Sequence, residues 1–157
     1  MKKASIASVV LVVIMLIGAF VYFVTRVSGT SASIKKYRYS GSINQLITGL
    51  RKYASDNPDM TFKITDTTGT RTDGYDIYMD IKMIKDKHHL EYSLMCEKSN
   101  DNSEPAATKV ELVLAYDATN NSGGYRMGAR GIKPLVDNFD TDFLVGLQNS
   151  QNIKLSP

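Results

Sequence analysis

The chain has one cysteine and two histidines in 157 residues. A single cysteine, Cys96, excludes an intrachain disulfide, so stability has to come from an ordinary core. All three residues fall in one stretch, Lys85 to Lys98 (KDKHHLEYSLMCEK). Outside it the usual motifs of catalysis are missing. There is no GxSxG, no HExxH and no CxxC. Gly123 to Lys133 (GGYRMGARGIK) is glycine-rich and basic, but it fits neither GxxxxGK[ST] nor GxGxxG. Asp137, Asp140 and Asp142 lack the order and the distal Glu of a calcium loop. Asn120-Asn121-Ser122 matches a glycosylation acceptor, which matters only in a eukaryotic secretory route.

An excess of one charge is also missing from most of the chain. The formal net charge is +3, from 19 basic and 16 acidic residues. Lys2, Lys3 and Arg26 supply the excess, and from Val27 onward 16 basic residues face 16 acidic ones. A neutral body argues against nucleic-acid binding, which requires a basic face to neutralise phosphates.

What is present begins with a long apolar run. Ala4 to Val24 is free of charge. A spanning helix takes about 20 apolar residues, whereas the apolar part of a cleaved signal peptide takes about 7–15. The run therefore reads as an uncleaved single-pass anchor over residues 1–26. A signal peptide cut near Thr30-Ser31-Ala32 is the competing reading. Phe20, Tyr22 and Phe23 gather at one end, where rings favour the membrane interface. Arg26, Lys35, Lys36 and Arg38 after the run pull the domain toward the cytoplasm. The MKK start resembles a bacterial signal-anchor, and the expected orientation is N-terminus inside, domain on the periplasmic side of an inner membrane. Residues 27–41 read as a tether with a juxtamembrane basic segment, Lys35, Lys36 and Arg38, suited to anionic headgroups. A solvated first strand is the alternative.

The periodicity from residue 42 to 150 predicts an α+β domain. Ile43, Leu46, Ile47, Leu50 and Tyr53 share a helical face, with Ser42 and Gln45 forming a capping box. The period then changes to two, at 60–64, 75–83, 90–96 and 110–116, with polar links at 66–74 and 84–87. Leu135, Val136, Phe139, Phe143 and Leu147 restore a helical period, and Asp140 and Asp142 offer a fresh helix start. The expected order is α-β-β-β-β-(β)-α: a two-layer domain, antiparallel sheet of 4–5 strands, helices on one face. Residues 151–157 read as a tail.

Strand parity decides the fate of the Lys85–Lys98 cluster. His88 and His89 face opposite ways, and Cys96 lies about 26 Å beyond His88 at about 3.3 Å per residue. That separation is too great for a shared zinc. Cys96 belongs to the apolar row with Tyr92 and Leu94, as a core thiol. His89 and Glu91 share a face, and with Asp80 they are the residues from which a dispersed enzyme site would assemble. Arg126 and Arg130 fall on one face of an expected last strand, with Lys133 before a helix start. They either hold an anion or guard an edge strand. No cofactor, metal or nucleic acid is expected. The leading expectation is a non-enzymatic, membrane-anchored domain that binds or scaffolds a protein partner, ahead of an anion-binding domain and of an enzyme. If the anchor is retained, full-length protein stays in the membrane pellet after carbonate washing and its mass includes residues 1–26. A soluble product starting near Ser33 indicates a cleaved signal peptide.

Overall fold

The computed structural model describes residues 33–70, 74–98 and 107–157. The expected span at 4–24 lies outside them, and among the described residues no helix is long and apolar enough to cross a membrane. The elements are β1 (Lys35–Tyr39), α1 (Ile43–Asp56), β2 (Met60–Thr70), β3 (Gly74–Lys85), β4 (His88–Lys98), β5 (Thr108–Asp117) and β6 (Ser122–Gly124). A helical run follows: α2 (Ile132–Asn138), a π-helical turn (Phe139–Leu144) and α3 (Val145–Gln151), before β7 (Leu155–Ser156). The fold is α+β, with one antiparallel sheet in the order β2-β3-β4-β5-β1-β7. β1 runs along the first half of β5, and β6 pairs with its last residues, Ala115 to Asp117.

The alternation of apolar residues sets which face is buried. Across the sheet, Phe62 pairs with Ile81, Ile81 with Tyr92, and Tyr92 with Ala115. Leu94 pairs with Met79 and Leu112, and Cys96 with Ile77 and Val110. These rows form the core together with Leu46, Ile47 and Leu50 of α1 and with Phe139, Phe143 and Leu147 of the C-terminal run. Phe139 stands at the centre. Its ring lies 5.8 Å from Tyr37, 5.0 Å from Tyr92 and 5.0 Å from Phe143, which in turn meets Tyr53 of α1 at 5.8 Å. The other face carries cross-strand polar pairs. Lys82 meets Glu91 at 2.8 Å, Ser93 donates to Asp80 at 2.6 Å, and Lys109 meets Glu97 at 3.1 Å and, within its own strand, Glu111 at 3.3 Å.

Local chemistry explains the boundaries. In the Ser42 capping box the hydroxyl accepts from the Gln45 amide at 3.3 Å, and the Gln45 side chain accepts from the Ser42 amide at 2.9 Å. Asn57 ends α1 by donating its side-chain amide to the Tyr53 carbonyl at 2.6 Å. β3 and β4 are joined by two residues, Asp86 (φ 49°) and Lys87 (φ 68°), both left-handed as a tight type I′ hairpin requires.

The structure departs from the expected layout in several places. Among the described residues the sheet has seven strands rather than four or five. Lys35–Tyr39 is not part of a tether but a strand inside the sheet, with Tyr37 1 % exposed. Residues 66–70 and Gly74, expected in a loop, extend the pairing of β2 with β3. Alternation fades there because a bulge between Ile64 and Asp66 shifts the register, and the exposed Asp66 and Thr67 lie past the core rows. The last expected strand shrinks to Ser122–Gly124, and Arg126 and Arg130 fall in the turns that follow. Asp140 and Asp142 do not start a new helix, since they sit inside a continuous run as its π turn. Leu155–Ser156 pairs with β1 rather than trailing as a tail.

Gly123 anchors the β6 corner. Its φ is +98°, and a Cβ there would lie 2.2 Å from the Ala115 carbonyl oxygen and 2.6 Å from the Leu135 side chain. Gly128 has nothing within 4 Å of such an atom. Gly123→Ala is therefore expected to destabilise by more than about 2 kcal/mol through clash and a disfavoured φ. Gly128→Ala should stay within about 0.5 kcal/mol. Denaturant titration of both variants provides the check.

Candidate functional site

Cys96 is inside the sheet, 0 % exposed. Burial pushes its thiol up to about 12, so it stays protonated and is no nucleophile at neutral pH. His88 Nδ1 lies 2.9 Å from a carboxylate oxygen of the buried Asp117. Asp117 also accepts from the backbone amides of Thr119 (2.9 Å) and Asn120 (3.2 Å) and from the Asn120 side chain (2.8 Å). Loss of water acts to raise the Asp117 pKa. The Asn120 amide, His88, the Thr119 amide and the Asn120 side chain outweigh it and hold the carboxyl below its ordinary value. This cluster ties the start of β4 to the turn after β5. Among the described residues no group of three His, Cys, Asp or Glu side chains could hold a metal ion.

The residues of the dispersed-enzyme reading lie on the polar face of the sheet. His89 and Glu91 line one shallow depression of about 250 Å³ with Asp59, Thr61 and Lys82. Glu91 is neutralised by Lys82, and Asp80 is engaged by Ser93. His89 is held through its backbone, whose N–H donates to the Thr119 hydroxyl at 2.9 Å and whose carbonyl accepts from Ala118 at 2.8 Å. A wider cleft of about 400 Å³ between α1 and the residues after α3 is lined by Asn44, Gln45, Thr48, Gln151 and Asn152, with no charged side chain in its wall.

Lys35 and Lys36 are each paired within the domain. Lys36 meets Glu111 at 3.4 Å on the polar face. Lys35 Nζ and the Tyr37 hydroxyl both donate to Asp140, each at 2.6 Å. Burial, then the hydrogen bond and the charge of Asp140, drive the Tyr37 pKa well above the usual phenol value. These three groups open on a depression of about 250 Å³ with Leu144, Val145 and Leu155. Arg38 is exposed and sits in β1 opposite Lys109 and Ser156. Nothing in the sequence signals the meeting of Lys35 and Tyr37 with Asp140, more than 100 residues away.

Arg126, Arg130 and Lys133 are exposed, and among the described residues none of their side chains has a hydrogen-bond or ion-pair partner. Their loop is nonetheless fixed. The Gly123 amide donates to the Arg130 carbonyl at 2.7 Å, and the Ala129 amide to the Arg126 carbonyl at 2.9 Å. Between the arginines, Met127 is 53 % exposed, and the preceding Tyr125 is 57 % exposed.

The remaining feature is an edge. β2 pairs with β3 alone among the described residues, while the opposite end of the sheet is the two-residue β7. The Ile84 amide donates to the Asp59 carbonyl, making Asp59 and Ile84 a hydrogen-bonded pair. The register then turns the N–H and C=O groups of Phe62 and Ile64 away from β3. The Met60 amide is satisfied by Asn57 at 3.0 Å and the Thr67 amide by Asp66 at 2.7 Å, so the open stretch is centred on Phe62 and Ile64. Ile64 is 37 % exposed. No family model, no curated protein and no solved structure matches the chain.

The depressed Asp117 carboxyl contributes stability that is present above the ordinary carboxylate pKa, about 4, and is lost as pH falls through the lower folded value. Asp117→Asn is expected to cost about 1–3 kcal/mol at pH 7, because donors are left facing a neutral amide. The gap to wild type should shrink below pH ~4 as Asp117 protonates. Thermal scans from pH 7 to pH 3 test this, and a pH-independent gap contradicts it.

Proposed function

We propose that the chain is a single-pass membrane-anchored binding domain, carried on the periplasmic side of a bacterial inner membrane, that docks a protein partner. The observation that carries this reading is the open edge of β2. An exposed strand edge is a template for another chain, and native proteins cover it or blunt it. Here the bulge, with Asp66 over the Thr67 amide, blunts one part and leaves Phe62 and Ile64 open. An extended partner segment fits this geometry. Its backbone would take the groups of Phe62 and Ile64, and its side chains would cover the half-exposed Ile64. The apolar run at 4–24 supports the anchor, and the neutral body supports a protein rather than a nucleic acid. Anion binding at Arg126 and Arg130 is a second reading, favoured by exposed side chains that meet no partner among the described residues.

The test is site-specific crosslinking in native membranes with full-length protein. A photoreactive residue replacing Lys63, beside the open stretch, should yield one dominant protein adduct. The same probe replacing Asn149, on the exposed side of α3, should not. Ile64→Lys places a charge on the edge and should abolish the Lys63-site adduct while the domain stays folded. Equal adducts at both sites, or a Lys63-site adduct that survives Ile64→Lys, contradict edge docking.

A further inference from the structure

We infer that the loop Tyr125–Lys133 is a docking surface for an anionic lipid bilayer, an inference that rests on the membrane anchor proposed above. The topology supplies the first argument. β1 and β6 lie along the same edge of β5 and run the same way, so that the end of β6 faces the start of β1. Lys35 pairs with Leu112, and Gly124 pairs with Ala115. The Ile34 amide donates to the Leu112 carbonyl at 2.8 Å, so the chain arrives from residue 33 beside this point. Tyr125 leaves β6 three positions along β5 from it, about 10 Å at strand spacing. Between the apolar run ending at Val24 and Ile34 lie nine residues, which span at most about 30 Å. A tether of that length leaves the side on which the chain arrives within reach of the bilayer, and that side carries the loop.

The chemistry of the loop supplies the second argument. Tyr125 and Met127 place apolar side chains in water, while Arg126, Arg130 and Lys133 are cations without a partner among the described residues. Lys35, Lys36, Lys82, Lys85 and Lys109 are paired with carboxylates, whereas Arg51, Lys52, Lys63, Lys87 and Lys154 are exposed cations like those of the loop, so what sets the loop apart is that its cations flank the exposed Tyr125 and Met127. An aromatic ring and a thioether flanked by exposed guanidinium and ammonium groups suit the interface, with apolar groups below the phosphates and cations among them. The loop is built for one shape. Gly123 and Gly131 take left-handed φ of +98° and +77°, the Arg130 carbonyl is tied back to Gly123, and half-buried Ala129 packs on the core. A fixed loop loses little entropy on docking.

The test uses full-length protein in nanodiscs. An environment-sensitive fluorophore is attached through Met127→Cys, with Asn149→Cys as the comparison site. Cys96 does not compete, being 0 % exposed. In discs containing phosphatidylglycerol, the Met127-site label should shift to the blue and be quenched by spin-labelled lipid, and the Asn149-site label should not. The lipid-contacting fraction should fall about fivefold for each of Arg126, Arg130 and Lys133 replaced by Gln. In phosphatidylcholine discs the response should be weak, and added inorganic phosphate should not restore it. Protein that enters the discs but shows no difference between the two labels overturns the lipid surface and leaves the anchor standing. A phosphate response equal to that of phosphatidylglycerol overturns the lipid source in favour of a free anion. Protein that does not enter the discs overturns the anchor and this inference together.

Discussion

The buried ring of Phe139 is the contact on which the rest of the domain depends. A sheet with one apolar face must be covered, and α1 alone contributes few buried residues to that cover. The run from Ile132 to Gln151 does most of it, and Phe139 is where it meets β1, β4 and its own next turn. Asp140 and Asp142 flank this ridge and pair with Lys35 of β1 and Lys85 of β3. These pairs are a quarter to two-fifths exposed, so each contributes about 1 kcal/mol at most. Full burial of the Phe139 ring contributes about 1.5–3 kcal/mol before its aromatic contacts are counted. Packing of the ring holds the run in place, and the ion pairs set its orientation.

Once that face is covered, the features left open are those toward which a binding role points. The polar face is largely self-satisfied through Lys82–Glu91, Ser93–Asp80 and the Lys36–Glu111–Lys109–Glu97 chain. By contrast, among the described residues the edge at Phe62 and Ile64 has backbone groups without a partner, and the loop after β6 has cations without one. β3 and β4 separate β2 from β5. β1, where the chain arrives, lies one strand further, so the strand edge is set about 19 Å to its side. A domain oriented by the loop would hold this edge clear of the lipid for a partner.

Much of the fold was legible in the sequence because it rests on local periodicity. The capping box at Ser42, the period-two rows and the inward place of Cys96 follow from spacing alone, and the structure has each of them. The elements that were misread rest on long-range pairing. Lys35–Tyr39 has three charges in five residues, at 35, 36 and 38, and reads as a surface segment, yet Asp140 accepts from both Lys35 and Tyr37 and lets Tyr37 sit 1 % exposed. Leu155–Ser156 is too short to show a period and is a strand only because β1 is beside it. For the candidate sites, the sequence picked out Arg126, Arg130 and Lys133 but not their loop geometry, which depends on Gly123 under Leu135. The open edge of β2 was not legible at all, since strand order is a property of the whole sheet.

Residue-resolved amide hydrogen exchange along β2, in full-length protein reconstituted alone and then in native membranes, tests the central claim most directly. Alone, the amides of Phe62 and Ile64 should exchange fast while those of Thr61 and Lys63, turned toward β3, exchange slowly. In native membranes the fast pair should become protected. Fast exchange at Phe62 and Ile64 in both settings, or protection of them in the isolated protein, would contradict an edge that is kept open for a partner.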